Sequence, residues 1–434
     1  MAGECIFLGA LIMKRKSIVI SVIFIFSTGI QLLSQILITR IFGASLELDQ
    51  FLAAVTIPTI AVTVVYGTLN DAFLPYWGKI RKDHPEDVEG LFWGYVTILT
   101  LIGTLVSGMF LLFSYPLMNF LFGGATYDIN EIAKQFSFMV LALPLGIIAT
   151  LCGSYYYSKE HYFRFPIAQL LGSIVNVLLF LILYPLLGVW GLVIAFVVNI
   201  AFQILFVIPI IKLSFKIPNV SFILIAWIPL IIGSFAIRSD AILIRSFGAG
   251  LGEGSLVYLN LLSKIFSLST GLLTIGLQVV LLPSLVNHFT EKNFKQANKV
   301  IVKAKVVSVV VSLIATLILV LVMPLALQLL FVGGKFTVDD VNLALQYMPL
   351  FVLPAIGWGC LNVFFQPLIA LKKQWQIGTV QVGALVAGYL VAYSLTQAGY
   401  HTTAISAGLC VLLFGGIISA EILWQYYLRK IEHQ

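Results

Sequence analysis

Charge is scarce in this sequence. Of its 434 residues only 10% are Asp, Glu, Lys or Arg, while 60% are hydrophobic and the mean hydropathy is +1.05. A soluble globular domain has about 25% charged residues. The composition therefore excludes an ordinary soluble domain and predicts a polytopic membrane protein.

Residues that carry redox, metal or catalytic chemistry are also few. The four cysteines are far apart, and neither a Cys-x-x-Cys pair nor an Asp-x-Asp motif occurs. The five histidines lie in predicted loops, at helix ends or in the terminal tail. A membrane-embedded glycosyl- or acyltransferase needs a cluster of such groups, so the sequence predicts a protein that is not an enzyme and has no resident cofactor or metal.

Long apolar runs fill most of the chain. Twelve segments of roughly 20 residues, the length that crosses about 30 Å of hydrocarbon, follow one another. They cover residues 17–39, 51–74, 91–114, 134–157, 166–186, 190–211, 222–246, 256–281, 300–323, 342–368, 378–397 and 403–427. Backbone polar groups in lipid must be satisfied within the segment, so all twelve are predicted to be α-helices.

The basic residues predict the orientation and the division of the chain. Nineteen of the 25 Lys and Arg residues fall on one side if the N-terminus is cytoplasmic, which is the bias of cytoplasmic loops. We expect both termini to be cytoplasmic, the loops to face anionic lipids rather than nucleic acid, and the protein to be a monomer in the cytoplasmic (inner) membrane.

The expected parts of the chain are an N-terminal segment 1–16, an N-lobe 17–212, a linker 213–221, a C-lobe 222–427 and a tail 428–434.

Internal repetition supports two lobes. Residues 40–44 read Arg-Ile-Phe-Gly-Ala and residues 245–249 read Arg-Ser-Phe-Gly-Ala, while Leu-Pro at 74–75 recurs at 282–283. Six helices per half is an even number, so both halves begin on the same side and are parallel repeats. Halves of this kind commonly enclose a substrate site at their interface.

Several motifs together resemble one family. Residues 40–44, Asp49, Pro58 and the Asp-Ala-Phe-Leu-Pro of residues 71–75 resemble the N-terminal signature of the MurJ/MviN lipid II flippases. Leu-Leu-Pro-Ser-Leu at 281–285 and Gly-Lys-Phe-Thr at 334–337 resemble the second-half landmarks of that family.

That family belongs to the multidrug/oligosaccharidyl-lipid/polysaccharide (MOP) exporter superfamily, with the Wzx oligosaccharide flippases and the MATE drug exporters. The resemblance implies two six-helix lobes around a V-shaped, alternating-access cavity. It also implies translocation of a lipid-linked saccharide, either an undecaprenyl-type oligosaccharide or a lipid II-like precursor. Export of soluble amphiphiles in the MATE manner, and a non-transporting scaffold that keeps the fold, are the alternatives.

The sequence departs from the family in its charges. The resemblance places arginines at Thr28, Ser34 and just after Pro58, and an acidic residue at about Tyr66, where this chain is uncharged. The basic residue of the eighth helix is kept as Lys264. Twelve helices are predicted here, whereas the lipid II flippases have fourteen.

Charges deep in the predicted seventh and eighth helices are the first candidate site, because ionisable groups at membrane depth are costly. We expect Lys264 and Arg238 to attract a phosphate or an acidic sugar, and Asp240 to hold a coupling Na+ or H+. The alternative is a purely structural ion pair between Asp240 and either Lys264 or Arg238.

The remaining candidates lie nearer the predicted helix ends. Arg40, Asn70 and Asp71 are candidate cavity residues for the substrate, and Asp49 and Arg245 are candidate gating residues at the outer end. A capping or interfacial role is the alternative for Arg40, Asp49 and Arg245. For Asn70 and Asp71 the alternative is an interfacial position, where an Asp costs little. Since no nucleotide-binding motif occurs, the expected energy source is an ion gradient or the membrane potential.

Overall fold

The structure is a computed structural model that describes residues 22–23, 26–83, 86–212, 214–291 and 293–432. The expected N-terminal segment 1–16 lies outside the described residues, as does part of the first predicted span. Across the described part the chain is almost wholly α-helical, and its only β pairing is an isolated bridge between Gly333 and Phe336.

Sixteen α-helices are described. They are α1 (26–42), α2 (Leu46–Asp83), α3 (Val88–Leu112), α4 (Ser114–Phe122), α5 (Ile129–Val140), α6 (Ala142–Ser158), α7 (Arg164–Leu187), α8 (Trp190–Val207), α9 (Ser221–Arg238), α10 (Asp240–Gly248), α11 (Ser255–Thr290), α12 (Phe294–Phe331), α13 (Val338–Tyr347), α14 (Pro349–Ala370), α15 (Gln374–Gln397) and α16 (His401–Glu432).

Ten segments of the described chain are helical, long and apolar enough to cross a membrane. The predicted span 256–281 lies within α11, where several side chains are not described, and 17–39 includes residues that are not described at all. Both are helical wherever the backbone is described. The prediction of an all-α polytopic membrane protein is confirmed.

One predicted span is two helices because of a proline. The segment 134–157 was expected to be continuous, but the structure ends α5 at Val140 and begins α6 at Ala142. Pro144 has no N–H for the Val140 carbonyl and its ring crowds that group. The Ser107 hydroxyl of α3 donates to the Val140 carbonyl at 3.1 Å, so the carbonyl that the helix gives up still has a partner.

A second predicted span is broken without a proline. The segment 222–246 was expected to be one helix, whereas α9 ends and α10 starts on either side of Ser239. At the break the Ser239 backbone N–H donates to the Ala236 carbonyl at 3.4 Å, which tightens the turn, and the Ser239 hydroxyl donates to the Phe235 carbonyl at 2.7 Å. The expectation that Asp240 lies inside a continuous helix is wrong, because Asp240 is in the first turn of α10.

The contacts divide the chain into two compact units. The first unit comprises residues up to Ile38, Ile57–Phe120 and Asp128–Ile228; the second unit comprises Thr39–Thr56, Leu121–Tyr127 and Pro229–Gln434. Residues 46–56 of α2 thus belong to the second unit and the rest of α2 to the first. The expected lobe boundaries at 212 and 222 remain a prediction.

Each unit has an aromatic core. In the first unit the fully buried Trp77 stacks on Phe73 with ring centroids 5.4 Å apart and packs against Phe92. In the second unit the fully buried Trp424 belongs to a cluster that includes Leu285. Buried aromatic rings contribute the largest apolar areas to a core, which explains why they mark the packed helices here.

The expected linker 213–221 packs against α3. The backbone N–H of Lys216 donates to the Gly90 carbonyl at 3.0 Å, and its ammonium group pairs with Asp87. A Cβ at Gly94 would lie 2.0 Å from the Lys216 carbonyl oxygen, so only glycine fits there. The described residues 214–221 of this stretch therefore belong to the first unit.

Candidate functional site

The second unit gathers four charged residues that the sequence marked. Arg238 ends α9, Asp240 begins α10, Arg245 follows one turn later and Lys264 lies on α11. Asp240 lies within electrostatic range of both arginines, and Lys264 lies within range of Arg245. The structure thus relates Asp240 to both arginines and Lys264 to Arg245.

Asp240 is held by two N–H groups. Its Oδ2 accepts from the Trp358 indole N–H at 2.7 Å, and its Oδ1 accepts from the Ala241 backbone N–H at 2.8 Å. Within the described residues Asp240 forms no ion pair of 4.0 Å or less with Arg238. The ion pair between Asp240 and Lys264 remains a prediction. A carboxylate at the start of a helix also interacts favourably with the helix dipole.

Arg245 binds three groups with its guanidinium. Nη1 donates to the Leu52 carbonyl at 2.6 Å and to the Thr56 hydroxyl at 3.0 Å, and Nη2 donates to Asn260 Oδ1 at 2.8 Å. These contacts join α10 to the start of α2 and to α11, all in the second unit. The planar fork of arginine suits such divided contacts. The contacts show that Arg245 holds α10 to α2 and α11, and a gating role remains a prediction.

Arg238 and Lys264 are the accessible cations of this group. Both side chains are exposed, whereas Asp240 and Arg245 are half-buried. Exposed cations can attract an anion, and the half-buried carboxylate can interact with a cation or proton.

Asp49 is fully buried and accepts three hydrogen bonds. Its oxygens accept from the backbone N–H groups of Gly254 at 2.8 Å and Val257 at 3.0 Å, and from the Tyr127 hydroxyl at 3.2 Å. Burial raises the pKa of the Tyr127 phenol above its ordinary range and the Asp49 charge raises it further, so the hydroxyl stays protonated and donates. Val257 is in the first turn of α11, whose N–H groups have no helical partners. Asp49 therefore caps α11 from another helix; whether it also gates is a prediction.

Arg40 lies against the Gly-Lys-Phe-Thr loop of the second unit. Its carbonyl accepts from the Lys335 backbone N–H at 2.8 Å, and its Nη2 approaches the Leu329 carbonyl at 3.5 Å. The two motifs that carried most of the resemblance thus contact each other. These contacts give Arg40 a structural role, and its substrate role remains a prediction.

Asn70 and Asp71 belong to the first unit. Asn70 Oδ1 accepts from the Ser154 hydroxyl at 2.7 Å, which joins α2 to α6, while the Asp71 side chain is exposed. Their proposed place in a cavity is not tested by these contacts.

One polar pocket was missed by the sequence reasoning. A cavity of about 370 Å³ in the first unit is lined by α1, α2, α7 and α8. Hydroxyl and amide side chains recur there at helical spacing, as in Gln169 with Ser173 and Asn199 with Gln203. That i, i+4 spacing puts two polar groups on one helix face and was the available signal.

The fold is shared with solved structures of the MOP superfamily and of a lipid II flippase. A structure described as the inward-facing conformation of a multidrug resistance MATE family transporter of the MOP superfamily has a TM-score of 0.74 and 14% identity, with 94% of this chain and 96% of that chain covered. A structure of lipid II flippase MurJ in an inward closed conformation has a TM-score of 0.79 and 18% identity, with 95% of this chain and 87% of that chain covered. These likenesses establish the MOP exporter fold.

Sequence comparison then gives the family. The profile of the lipid II flippase MurJ family matches residues 38–432, and the chain belongs to that family. A probable lipid II flippase MurJ of Buchnera aphidicola subsp. Acyrthosiphon pisum (strain APS) is 23% identical over 383 residues, which are 83% of this chain and 73% of the relative. The resemblance inferred from the motifs is confirmed.

Proposed function

We propose that the protein translocates a lipid-linked saccharide across the cytoplasmic membrane. The observation that carries the proposal is the family match, which runs from residue 38 to residue 432 and so includes nearly every helix. No covalent chemistry is required, because a flippase works by binding its substrate differently in its inward-open and outward-open states. The expected substrates are an undecaprenyl-type oligosaccharide or a lipid II-like precursor.

Lys264 and Arg238 supply the positive charge for the phosphate groups of such a lipid. Both are exposed, both lie in the second unit, and Arg245 adds a third positive charge that is committed to protein contacts. Lys264 acts as a point charge, whereas Arg238 offers the bidentate fork that phosphate oxygens match. Contributions from Arg40, Asn70 and Asp71 are secondary proposals.

Asp240 is the proposed coupling residue. A half-buried carboxylate that accepts two hydrogen bonds still has lone pairs available for Na+ or H+. The ion gradient or the membrane potential then drives the cycle. Cytoplasmic placement of both termini and a monomeric state complete the proposal.

A flipping assay tests this proposal. Purified protein in liposomes is supplied with fluorescent undecaprenyl diphosphate-linked N-acetylglucosamine, and dithionite quenching reports movement between leaflets. Lys264→Glu is expected to slow flipping by about tenfold or more, because a charge-assisted contact to phosphate is lost and a repulsive charge is added. The matched control is Lys303→Glu, at an exposed position of α12. Flipping unaffected by both Lys264→Glu and Asp240→Lys would contradict the proposed site.

A MATE-like exporter of soluble amphiphiles is the second candidate, favoured by the TM-score of 0.74 over 96% of a MATE chain. Ethidium efflux from the same liposomes, without lipid flipping, would select it. Absence of both activities would select the scaffold that retains the fold. An accumulation of one lipid-linked intermediate in a depletion strain would identify the saccharide.

A further inference from the structure

The pocket in the first unit contains no charged side chain among the described residues that line it. Its lining consists of Ser27, Thr28, Gln31, Thr59, Val62, Thr63, Tyr66, Gln169, Ser173, Phe196, Asn199, Ile200 and Gln203. Ten of these thirteen carry a hydroxyl or a carboxamide, and the other three are apolar. Such a concentration of neutral polar groups is unusual in a chain that is 60% hydrophobic.

A fixed hydrogen-bond chain forms one wall. The Tyr66 hydroxyl donates to Gln203 Oε1 at 3.1 Å, and Gln203 Nε2 donates to Asn199 Oδ1 at 2.8 Å. A Cβ at Gly172 would lie 2.6 Å from Asn199 Oδ1 and 2.8 Å from Gln203 Nε2, so α7 and α8 are packed closely behind this pair. The wall is therefore preorganised, which lowers the cost of binding a ligand.

Several groups of the pocket keep hydrogen-bonding capacity for a ligand. Within the described chain the carboxamides of Gln31 and Gln169 and the amino group of Asn199 have no protein partner. The side chains of Gln31 and Thr59 are exposed, and that of Gln169 is half-buried. Carboxamides both donate and accept, so the pocket matches a ligand that also does both.

The chemistry of the pocket selects among ligands. A phosphate or a carboxylate would have no cation beside it, and a bound metal ion would lack the carboxylates that hard cations usually take. A volume of about 370 Å³ is also that of a small-molecule site rather than an ion site. Hydroxyl groups on a ring with an apolar face fit best, because Val62, Phe196 and Ile200 supply apolar surface beside the polar groups.

We propose that this pocket binds a neutral sugar residue of the transported lipid. The inference rests on the proposed function, and it assigns recognition of the sugar to this pocket of the first unit. The pocket is then selective for uncharged sugars.

Two lipids that differ only in the sugar test the inference. Undecaprenyl diphosphate-linked N-acetylglucosamine and undecaprenyl diphosphate are titrated into the purified full-length protein, and binding is followed by native mass spectrometry. We expect three substitutions, Gln169→Leu, Asn199→Leu and Thr59→Val, each to lower the affinity for the sugar-bearing lipid about 3- to 10-fold. The affinity for the sugar-free lipid should stay unchanged. Gln397→Leu, at an exposed position of α15 outside the pocket, is the matched control.

Three results would overturn the inference. The first is an equal loss of affinity for both lipids in the pocket variants, and the second is no loss of affinity for either lipid. The third is an effect only on the Na+ dependence of transport, which would make the pocket an ion site. A glucuronic acid lipid that binds more tightly than the N-acetylglucosamine lipid would likewise contradict selectivity for neutral sugars. Should Asn199→Leu fail to fold, Thr59→Val alone decides, because it is isosteric and exposed.

The same experiment separates the two proposals. If the wild type neither binds nor flips any sugar-bearing lipid, the proposed function and the pocket assignment both fail. If the wild type flips the lipid and every pocket variant binds and flips it equally well, only the pocket assignment fails.

Discussion

The backbone N–H of Lys335 donates to the carbonyl oxygen of Arg40 at 2.8 Å. These residues belong to two motifs that lie in different halves of the sequence, yet both are in the second unit. A Cβ at Gly43 would lie 2.9 Å from the Lys335 carbonyl oxygen. The motifs are thus shaped to fit each other, and their glycines are required by the closeness of the two backbones.

Gly334→Ala tests that fit. Gly334 has a φ of +61°, and an added Cβ would lie 2.3 Å from the Arg40 carbonyl oxygen. The substitution is expected to destabilise the protein by about 2 kcal/mol or more, since it combines backbone strain with a clash against main-chain atoms. Thermal unfolding in detergent measures the effect. Gly250→Ala is the control, because nothing lies within 4 Å of its added Cβ; equal melting temperatures for the two variants would contradict the packing described.

Asp49→Asn tests the cap on α11. The amide keeps the size of the side chain but puts an NH2 group where two backbone N–H groups and the Tyr127 hydroxyl need acceptors. Leaving one buried donor without an acceptor costs about 1–3 kcal/mol. We therefore expect a clear drop in melting temperature and faster proteolysis.

The control for this cap is Asp339→Asn. Asp339 is exposed in the first turn of α13, so its substitution should change stability by about 0.5 kcal/mol or less. If Asp49→Asn were as stable as Asp339→Asn, the buried carboxylate would not be holding α2 to α11.

Arg245→Lys separates charge from geometry. Lysine keeps the positive charge but cannot span the Leu52 carbonyl, the Thr56 hydroxyl and the Asn260 amide as the guanidinium does. We expect a loss of about 1–3 kcal/mol in the free energy of unfolding. Arg429→Lys, on the exposed last turn of α16, should leave the melting temperature unchanged. A stable Arg245→Lys variant with altered transport would instead favour the gating role.

Trp358→Phe tests the coupling residue. The substitution removes the indole N–H that donates to Asp240 but keeps an aromatic ring that stacks on Phe351. If Asp240 holds the coupling ion, the concentration of Na+ or H+ that gives half-maximal flipping should shift about 3-fold or more, because the carboxylate loses one hydrogen bond. Trp375→Phe, at a position that is 57% exposed, is the control. An unchanged ion dependence would place coupling elsewhere.

The sequence predicted the helical class because lipid imposes strong rules. Segments of about 20 apolar residues have one stable conformation in hydrocarbon, so the spans were readable from composition alone. The breaks were less readable. The break before Pro144 follows from a general rule. No such rule marks the break at Ser239, where the backbone N–H donates to the Ala236 carbonyl.

The site was predicted in part. Charges in apolar segments predicted a site at Arg238, Asp240 and Lys264. In the structure Asp240 interacts electrostatically with Arg238 and Arg245, and Lys264 interacts with Arg245. Their partners were not readable, because Trp358 lies far along the chain and only the packing of α14 brings it to Asp240. The uncharged pocket was missed for a related reason, since single Gln, Ser and Thr residues are common in membrane helices and become a site only when four helices converge.

The assignment of residues 39–56 and 121–127 to the second unit has a consequence for biosynthesis. A chain is made from its N-terminus, and parts synthesised early usually fold first. Here Asp49 is made long before Gly254 and Val257, the backbone groups that it must cap. A fragment that begins at Pro229 would carry those N–H groups without their acceptor, so the C-terminal half should insert poorly alone and recover when residues 1–228 are co-expressed.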